Sequence, residues 1–259
     1  MIPNWFLLSA AAVLGLVMGS AVTAIVYRVP RGISWLTGRS ACPHCHTPLG
    51  VLDLVPVLSF AVAGGRCRHC RAPIAWRYPI TELACAIWAV MLVFRIGIHP
   101  WTPLLALWGF LLIALTLIDY DHKLLPDVLT FPGTVIGAVA ALLQPGGTHR
   151  ALLGLLVGAG GLWLVAWAYL KVRKAEGMGG GDIKLAAMFG VVLGAPLTLL
   201  TLFLAALAGS LWGGFLMVRG RGHARTELPF GTLLAPAAMI VLLWGDGWVR
   251  AYLSLMHRG

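Results

Sequence analysis

Apolar positions in this chain do not alternate with polar ones. They run in blocks, and the polar residues gather between the blocks. Stretches near residues 5–27, 79–97, 101–119, 127–144, 151–170, 183–194, 197–218 and 231–253 are almost uninterruptedly apolar, and most approach the roughly 20 residues that a helix needs to cross a hydrocarbon core about 30 Å thick. In lipid, backbone N–H and C=O groups must pair within the chain, and nothing here has the strand-length alternation of a membrane barrel. The pattern therefore predicts an all-α polytopic membrane protein with about eight transmembrane helices. The sixth block is short and ends at Gly194-Ala195-Pro196, so it reads either as a half-helix or as a re-entrant piece. The first block lacks a basic lead-in and a small-residue exit and runs into Tyr27-Arg28, which predicts a retained span rather than a cleaved signal.

Composition agrees with this reading: 59% of residues are hydrophobic and only 11% are charged. The net charge of +10 is unevenly placed. Fifteen of the 19 lysines and arginines lie in the intervals Arg28–Arg77, around Lys123, Lys171–Lys184 and Arg219–Arg225. Basic residues stay preferentially on the cytoplasmic side, so those intervals are expected inside and both termini outside. Attraction to anionic lipid then accounts for the charge. No basic stripe interleaves with aromatic residues, which argues against nucleic acid as a partner. The expected organisation is a first helix over 1–27, a cytoplasmic loop over 28–78 and a membrane core over 79–259.

That loop changes abruptly to Arg, Pro, Gly and Cys. It carries Cys42-Pro43-His44-Cys45 and Cys67-Arg68-His69-Cys70, two C-x-x-C turns separated by 21 residues. Each turn supplies two sulfurs, and four thiolates close a tetrahedral zinc site. Metal would supply the stability that about 50 residues with little apolar content cannot obtain from a core. The expectation is a zinc-ribbon-like loop with Cys42, Cys45, Cys67 and Cys70 as ligands. Disulfides or a redox relay compete with it, and the cytoplasmic side argues against stable disulfides. His44, His46 and His69 are alternative ligands or solvated loop residues. Cys85, alone in the second span, reads as a small buried apolar residue.

Acids are scarce, and two of them sit where apolar blocks meet polar loops. Asp119 follows the run Leu111–Ile118, and a carboxylate at a bilayer boundary marks function more often than structure. Asp182 closes Gly179-Gly180-Gly181-Asp182. Glycine can take positive φ and lets another chain approach closely, so this stretch predicts an open backbone edge beside the acid where an extended peptide lies. The plainer readings are a solvated helix end for Asp119 and a helix N-cap for Asp182. Asp121 reads as a loop residue, and Asp127, after Pro126, as an acid at a helix start. Lys184 reads as a snorkelling anchor or as a charge that tunes Asp182, and Glu82 as a buried acid paired with Arg77 or Lys184 or touching substrate. Glu176 and Glu227 suit a basic partner or a solvated face.

If Asp119 and Asp182 meet, both cannot ionise comfortably and one proton is shared across the pair, as in aspartic proteases. A carboxylate then takes a proton from water as it attacks a peptide carbonyl, and its protonated partner hydrogen-bonds the carbonyl oxygen. No G-x-S-x-G elbow and no H-E-x-x-H helix compete. Two other classes remain open. A cation transporter or channel would use the acids as ion ligands and the glycines as a broken helix, and a non-catalytic zinc-ribbon scaffold would need the cysteines but not the acids.

With these residues on view, the chain resembles the type IV prepilin peptidases, the G-x-G-D aspartic peptidases of the bacterial inner membrane. The likeness runs nearly end to end: Gly19-Ser20 with Tyr27-Arg28-Val29-Pro30, the paired cysteine turns, Asp53-Leu54-Val55-Pro56-Val57-Leu58-Ser59, Arg77-Tyr78-Pro79 with Glu82, the block Asp119–Asp127, Glu176–Leu185, and Leu228-Pro229-Phe230-Gly231. It implies that Asp119 and Asp182 are the catalytic pair on the cytoplasmic side. Their substrates would be precursors of type IV pilins or type II secretion pseudopilins, cut after a glycine that ends a basic leader. It also implies methylation of the new N-terminus with S-adenosylmethionine, for which no glycine-rich nucleotide loop is visible. Two departures stand out, Ala21-Val22-Thr23-Ala24 in the first span and Thr232 where proline is common, and neither reads as touching the acid pair.

Overall fold

The structure, a computed structural model, describes residues 3–35, 37–174, 179–219 and 229–256. Glu176 and Glu227 lie outside the described residues. Among the described residues the chain is helical, and its only β pairing is two isolated bridges. Two compact units divide it between Ile98 and His99.

In the first unit, helix α1 (Asn4–Arg28) packs along α3 (Arg77–Ile96), with the short α2 (Leu58–Val62) in the loop between them. Glycines make that packing possible. A Cβ on Gly15 would stand 2.6 Å from the Ala86 Cα, and one on Gly19 would stand 2.5 Å from the Glu82 Cα, so the two backbones meet where small residues recur at four-residue spacing. The cysteine turns are two copies of one motif. Cys42 N–H donates to the Thr47 carbonyl and Cys67 N–H to that of Ala72, at 3.0 and 2.9 Å. His46 and Arg71 both take positive φ, 57° and 60°. Bridges Ala41 to Pro48 and Arg66 to Pro73 close the two turns.

The second unit contains α4 (Thr102–His122), α5 (Asp127–Leu142), α6 (Gly147–Leu155) continued by a π segment (Leu156–Gly160) into α7 (Gly161–Arg173), then α8 (Gly180–Val218) and α9 (Gly231–Met256). Helix α8 is the axis: α5, α6, the π segment and α9 all pack on it. Gly154 and Gly190 sit backbone to backbone, with no room for a Cβ at either, and a Cβ on Gly158 would fall 2.5 Å from the Ala186 carbonyl. Trp108 and Phe189 are fully buried, and the Trp108 indole donates to the Met188 carbonyl at 3.1 Å. Trp88 is buried too, so these two tryptophans are core residues.

Among the described residues six helices are long and apolar enough to cross a membrane, and α5, at 16 residues, is a shorter apolar one. The blocks 183–194 and 197–218 form one 39-residue helix that breaks at Gly194, where φ is 74° and Pro196 follows. Split there, and with α5 included, the described residues hold eight apolar helical segments. A multi-pass membrane protein is the result.

Candidate active site

Three helix ends converge around Asp119. Helix α4 does not stop at this residue but runs on to His122, ending at Lys123 in the left-handed region (φ 50°). Asp121 is therefore an exposed residue of the last helical turn, not of a loop. Asp119 itself is only 5% exposed. The first turn of α9 holds it: Thr232 donates its backbone N–H to Oδ2 at 2.7 Å and its hydroxyl to the same oxygen at 3.0 Å. Gly231, one residue earlier, lets that oxygen approach, since a Cβ there would stand 2.9 Å from Oδ2. Thr232, the departure that read as remote from the acids, is thus in direct contact with one of them. The pairing spans 113 residues of sequence, and no local pattern announces it.

Asp182 lies in the first turn of α8. The N-cap is Gly179 (φ −70°, ψ 140°) and Asp182 is the third helical residue, so the N-cap reading of this acid is replaced. None of Gly179, Gly180 and Gly181 takes a positive φ. Their value is space. Nothing stands within 4 Å of a Cβ built on Gly179 or Gly180, whereas one on Gly181 would meet Leu125 at 3.0 Å. Leu125 also reaches Gly231, so a single buried side chain from the α4–α5 connection packs against neighbours of both acids. Among the described residues no hydrogen bond reaches the Asp182 carboxylate. The helix break is elsewhere: Gly194 lies 12 residues beyond Asp182, about 18 Å along an ideal helix, so the glycines at the acid do not make the broken helix that a transporter reading uses.

Two further expectations change. Lys184 pairs with Asp127 at 2.6 Å, both well exposed. It thereby joins the starts of α8 and α5, and Asp127 is an ion-pair partner as well as an acid at a helix N-terminus. Glu82, in the first unit and 8% exposed, takes no cation among the described residues; its Oε2 accepts the Val57 backbone N–H at 2.7 Å. Cys85 is fully buried, as a small apolar residue would be.

In the first unit the four sulfurs of Cys42, Cys45, Cys67 and Cys70 all lie within 4.8 Å of one another. The Cys42 and Cys70 sulfurs are 3.8 Å apart, the edge expected of a tetrahedron with metal–sulfur bonds of about 2.3 Å. Hydrogen bonds from the Thr47 side chain and backbone hold the Cys45 thiol down at about 6. Backbone hydrogen bonds from Cys70 and His69 lower Cys67 as well. Cys70 goes the other way: against a backbone hydrogen bond from Ala72, burial and the neighbouring Cys45, Cys67 and Cys42 thiols push it up to about 11, so the fit to a soft divalent metal rests on the spacing of the four sulfurs. His44, His46 and His69 are not among the clustered ligand atoms.

Residues 13–96 match the bacterial peptidase A24 N-terminal domain and residues 106–214 match the type IV leader peptidase family. A protein named prepilin leader peptidase/N-methyltransferase from Aeromonas hydrophila is 34% identical over 96% of this chain and 95% of its own. Proteins of the same name from Pseudomonas aeruginosa and Burkholderia pseudomallei are 35% and 36% identical, covering 93% and 94% of this chain and 91% and 87% of theirs. No solved structure matches. With two family domains in tandem and relatives alike over nearly the whole length, the chain belongs to the type IV leader peptidase family.

Proposed function

We propose that this protein is a bifunctional prepilin peptidase: it cuts the basic leader from type IV prepilins or type II secretion pseudopilins after a glycine, and it methylates the new N-terminus. Asp119 and Asp182 are the reacting acids. The observation that carries the reading is Leu125 packed at once against Gly231, beside Asp119, and Gly181, beside Asp182, which supports two acids from two membrane-length helices acting at one site in a member of the type IV leader peptidase family. Like charges so placed share a proton. Thr232, with two donors on Oδ2, suits Asp119 to carry the negative charge, and Asp182 then carries the proton.

Asp119 takes a proton from water while the water oxygen bonds to the scissile carbonyl carbon. Asp182 hydrogen-bonds the carbonyl oxygen as it becomes negative. When the tetrahedral intermediate collapses the C–N bond breaks, and the leaving nitrogen takes a proton from the pair. The open space at Gly179 and Gly180 lets a substrate backbone lie beside Asp182. The basic intervals next to both acids support a cytoplasmic site in the bacterial inner membrane. A structural zinc held by Cys42, Cys45, Cys67 and Cys70 would order the 28–78 loop. S-adenosylmethionine would donate the methyl group, as the relatives' name implies, and no residue here is assigned to that step.

The test is reconstitution of the full chain in lipid with a prepilin-like peptide and labelled S-adenosylmethionine. Mass spectrometry should find a single cut after the leader's glycine and a methyl group on the new amine. An intact peptide, or cuts scattered along it, would overturn the assignment.

A further inference from the structure

Between the two cysteine turns lies a segment, Val51–Val62, that neither peptide hydrolysis nor metal binding uses, and it is unusual in three respects. Its large apolar side chains point outward: Val51 is 84% exposed, Leu52 69%, Leu58 64% and Val62 78%. The outward stripe of the spanning helix α3 is comparably exposed, at 60% for Ile80, 63% for Ile87 and 67% for Phe94. Surface apolar residues scattered singly need no explanation, but two adjacent short elements that both present them do. The 3₁₀ turn Val51–Leu54 and α2 pack on each other.

The second oddity is Val57, which sits at φ 61° and ψ −47°. Leu58 N–H reaches back to the Pro56 carbonyl at 2.6 Å, closing a γ-turn around a β-branched residue. That conformation is strained and persists only where the surroundings over-determine it. The third oddity is what over-determines it, a carboxylate from a membrane helix. Val57 N–H donates to Glu82 Oε2 at 2.7 Å, and Glu82 is buried five residues beyond the first residue of α3. At 1.5 Å per residue the turn is pinned about 7 Å along α3 from Arg77. Apolar side chains of interfacial elements reach a comparable depth, roughly 5–10 Å into the headgroup and acyl boundary.

We propose that Val51–Val62 is a membrane-inserted wedge, with Val51, Leu52, Leu58 and Val62 in lipid and Glu82 as the anchor that holds it at that depth. Its partner is the bilayer itself. The exposed Arg66 and Arg71 that follow it suit an anionic headgroup layer, and both ends of the loop continue into spanning helices. The wedge would therefore lay the metal-binding loop against the membrane instead of leaving it free in water. Insertion is independent of peptide hydrolysis, and a probe of depth reads it whether or not cleavage occurs.

The experiment places a spin label at Leu58→Cys or Val62→Cys in the metal-loaded full chain in anionic nanodiscs, with Ser34→Cys in the same loop as the aqueous reference. Metal content and a monodisperse elution profile select folded samples. Labels at 58 and 62 are expected to collide several-fold more with lipid-soluble oxygen than with an aqueous nickel chelate, and the label at 34 to show the reverse. Adding Glu82→Ala should return labels 58 and 62 to the nickel reagent and leave 34 unchanged. Nickel access at 58 and 62 in the parent overturns insertion. Shielding from both reagents, the mark of a covering protein surface, overturns it too, and labels that ignore Glu82→Ala overturn the anchor.

Discussion

Asp119 and the four cysteines are held in place by opposite means. Asp119 is shaped by residues far from it in sequence, with Thr232 113 positions away and Gly231 and Leu125 closing around it. These are brought there by helices that the bilayer forces to form, because their backbones can be satisfied in no other way. The cysteines come in pairs from two short repeated turns that make their own internal hydrogen bonds. Little core surrounds them, and the segment between the turns faces outward. One site needs no ligand to exist and is free to react. The other gathers four thiols that a metal would lock, so its chemistry is committed to architecture. Damage at the two places should therefore fail in different ways.

The largest separation comes from the acids. Asp119→Asn and Asp182→Asn should each lower peptide cleavage by ~10³-fold or more with the protein still folded in membranes and its metal content unchanged. A parental cleavage rate in either variant removes that residue from the chemistry. The converse lesion is Cys67→Ser or chelation. Structural zinc supplies on the order of 10 kcal/mol to small modules, so limited proteolysis should open the 28–78 loop while the helices of the second unit stay resistant. A metal-free loop that resists protease would erase the contrast between the sites.

Smaller changes sharpen it. Gly231→Ala places a methyl 2.9 Å from Asp119 Oδ2 and should reduce cleavage roughly 10- to 100-fold through misplacement, with protease resistance of the 28–78 loop as the unchanged control. Thr232→Val keeps the N–H bond and loses the hydroxyl one, for an expected loss of about fivefold in kcat, the size of one hydrogen bond. At the bottom of the scale is Lys184→Ala. Its ion pair with Asp127 is exposed and contributes under about 1 kcal/mol, so cleavage should stay within about twofold; a larger drop would move Lys184 into the site.

The candidate site could be proposed from the chain alone because its signals are local. Asp119 announces itself by ending an apolar run, Asp182 by three preceding glycines, and the metal cluster by two C-x-x-C turns. Partnerships between distant segments were not legible. Glu82 was expected beside a cation and instead caps the Val57 N–H. Lys184 read as a snorkelling anchor or as a charge tuning Asp182, and it pairs with Asp127. The glycines before Asp182 suggested a turn with unusual φ, yet two of them are ordinary helix residues valued for leaving space.

By itself the sequence determined that this is a helical membrane protein with a cysteine-rich loop and two boundary acids, because hydrophobic block length, thiol spacing and the cost of desolvating a carboxylate act over a few residues at a time. Only the tertiary structure decided what distant segments touch: that Thr232 holds Asp119, that Leu125 packs against Gly181 and Gly231, the chain neighbours of the two acids, and that the break in α8 falls at Gly194. Those outcomes depend on how glycine-lined helices cross, and a crossing is set by the joint fit of two surfaces that no single stretch of chain contains.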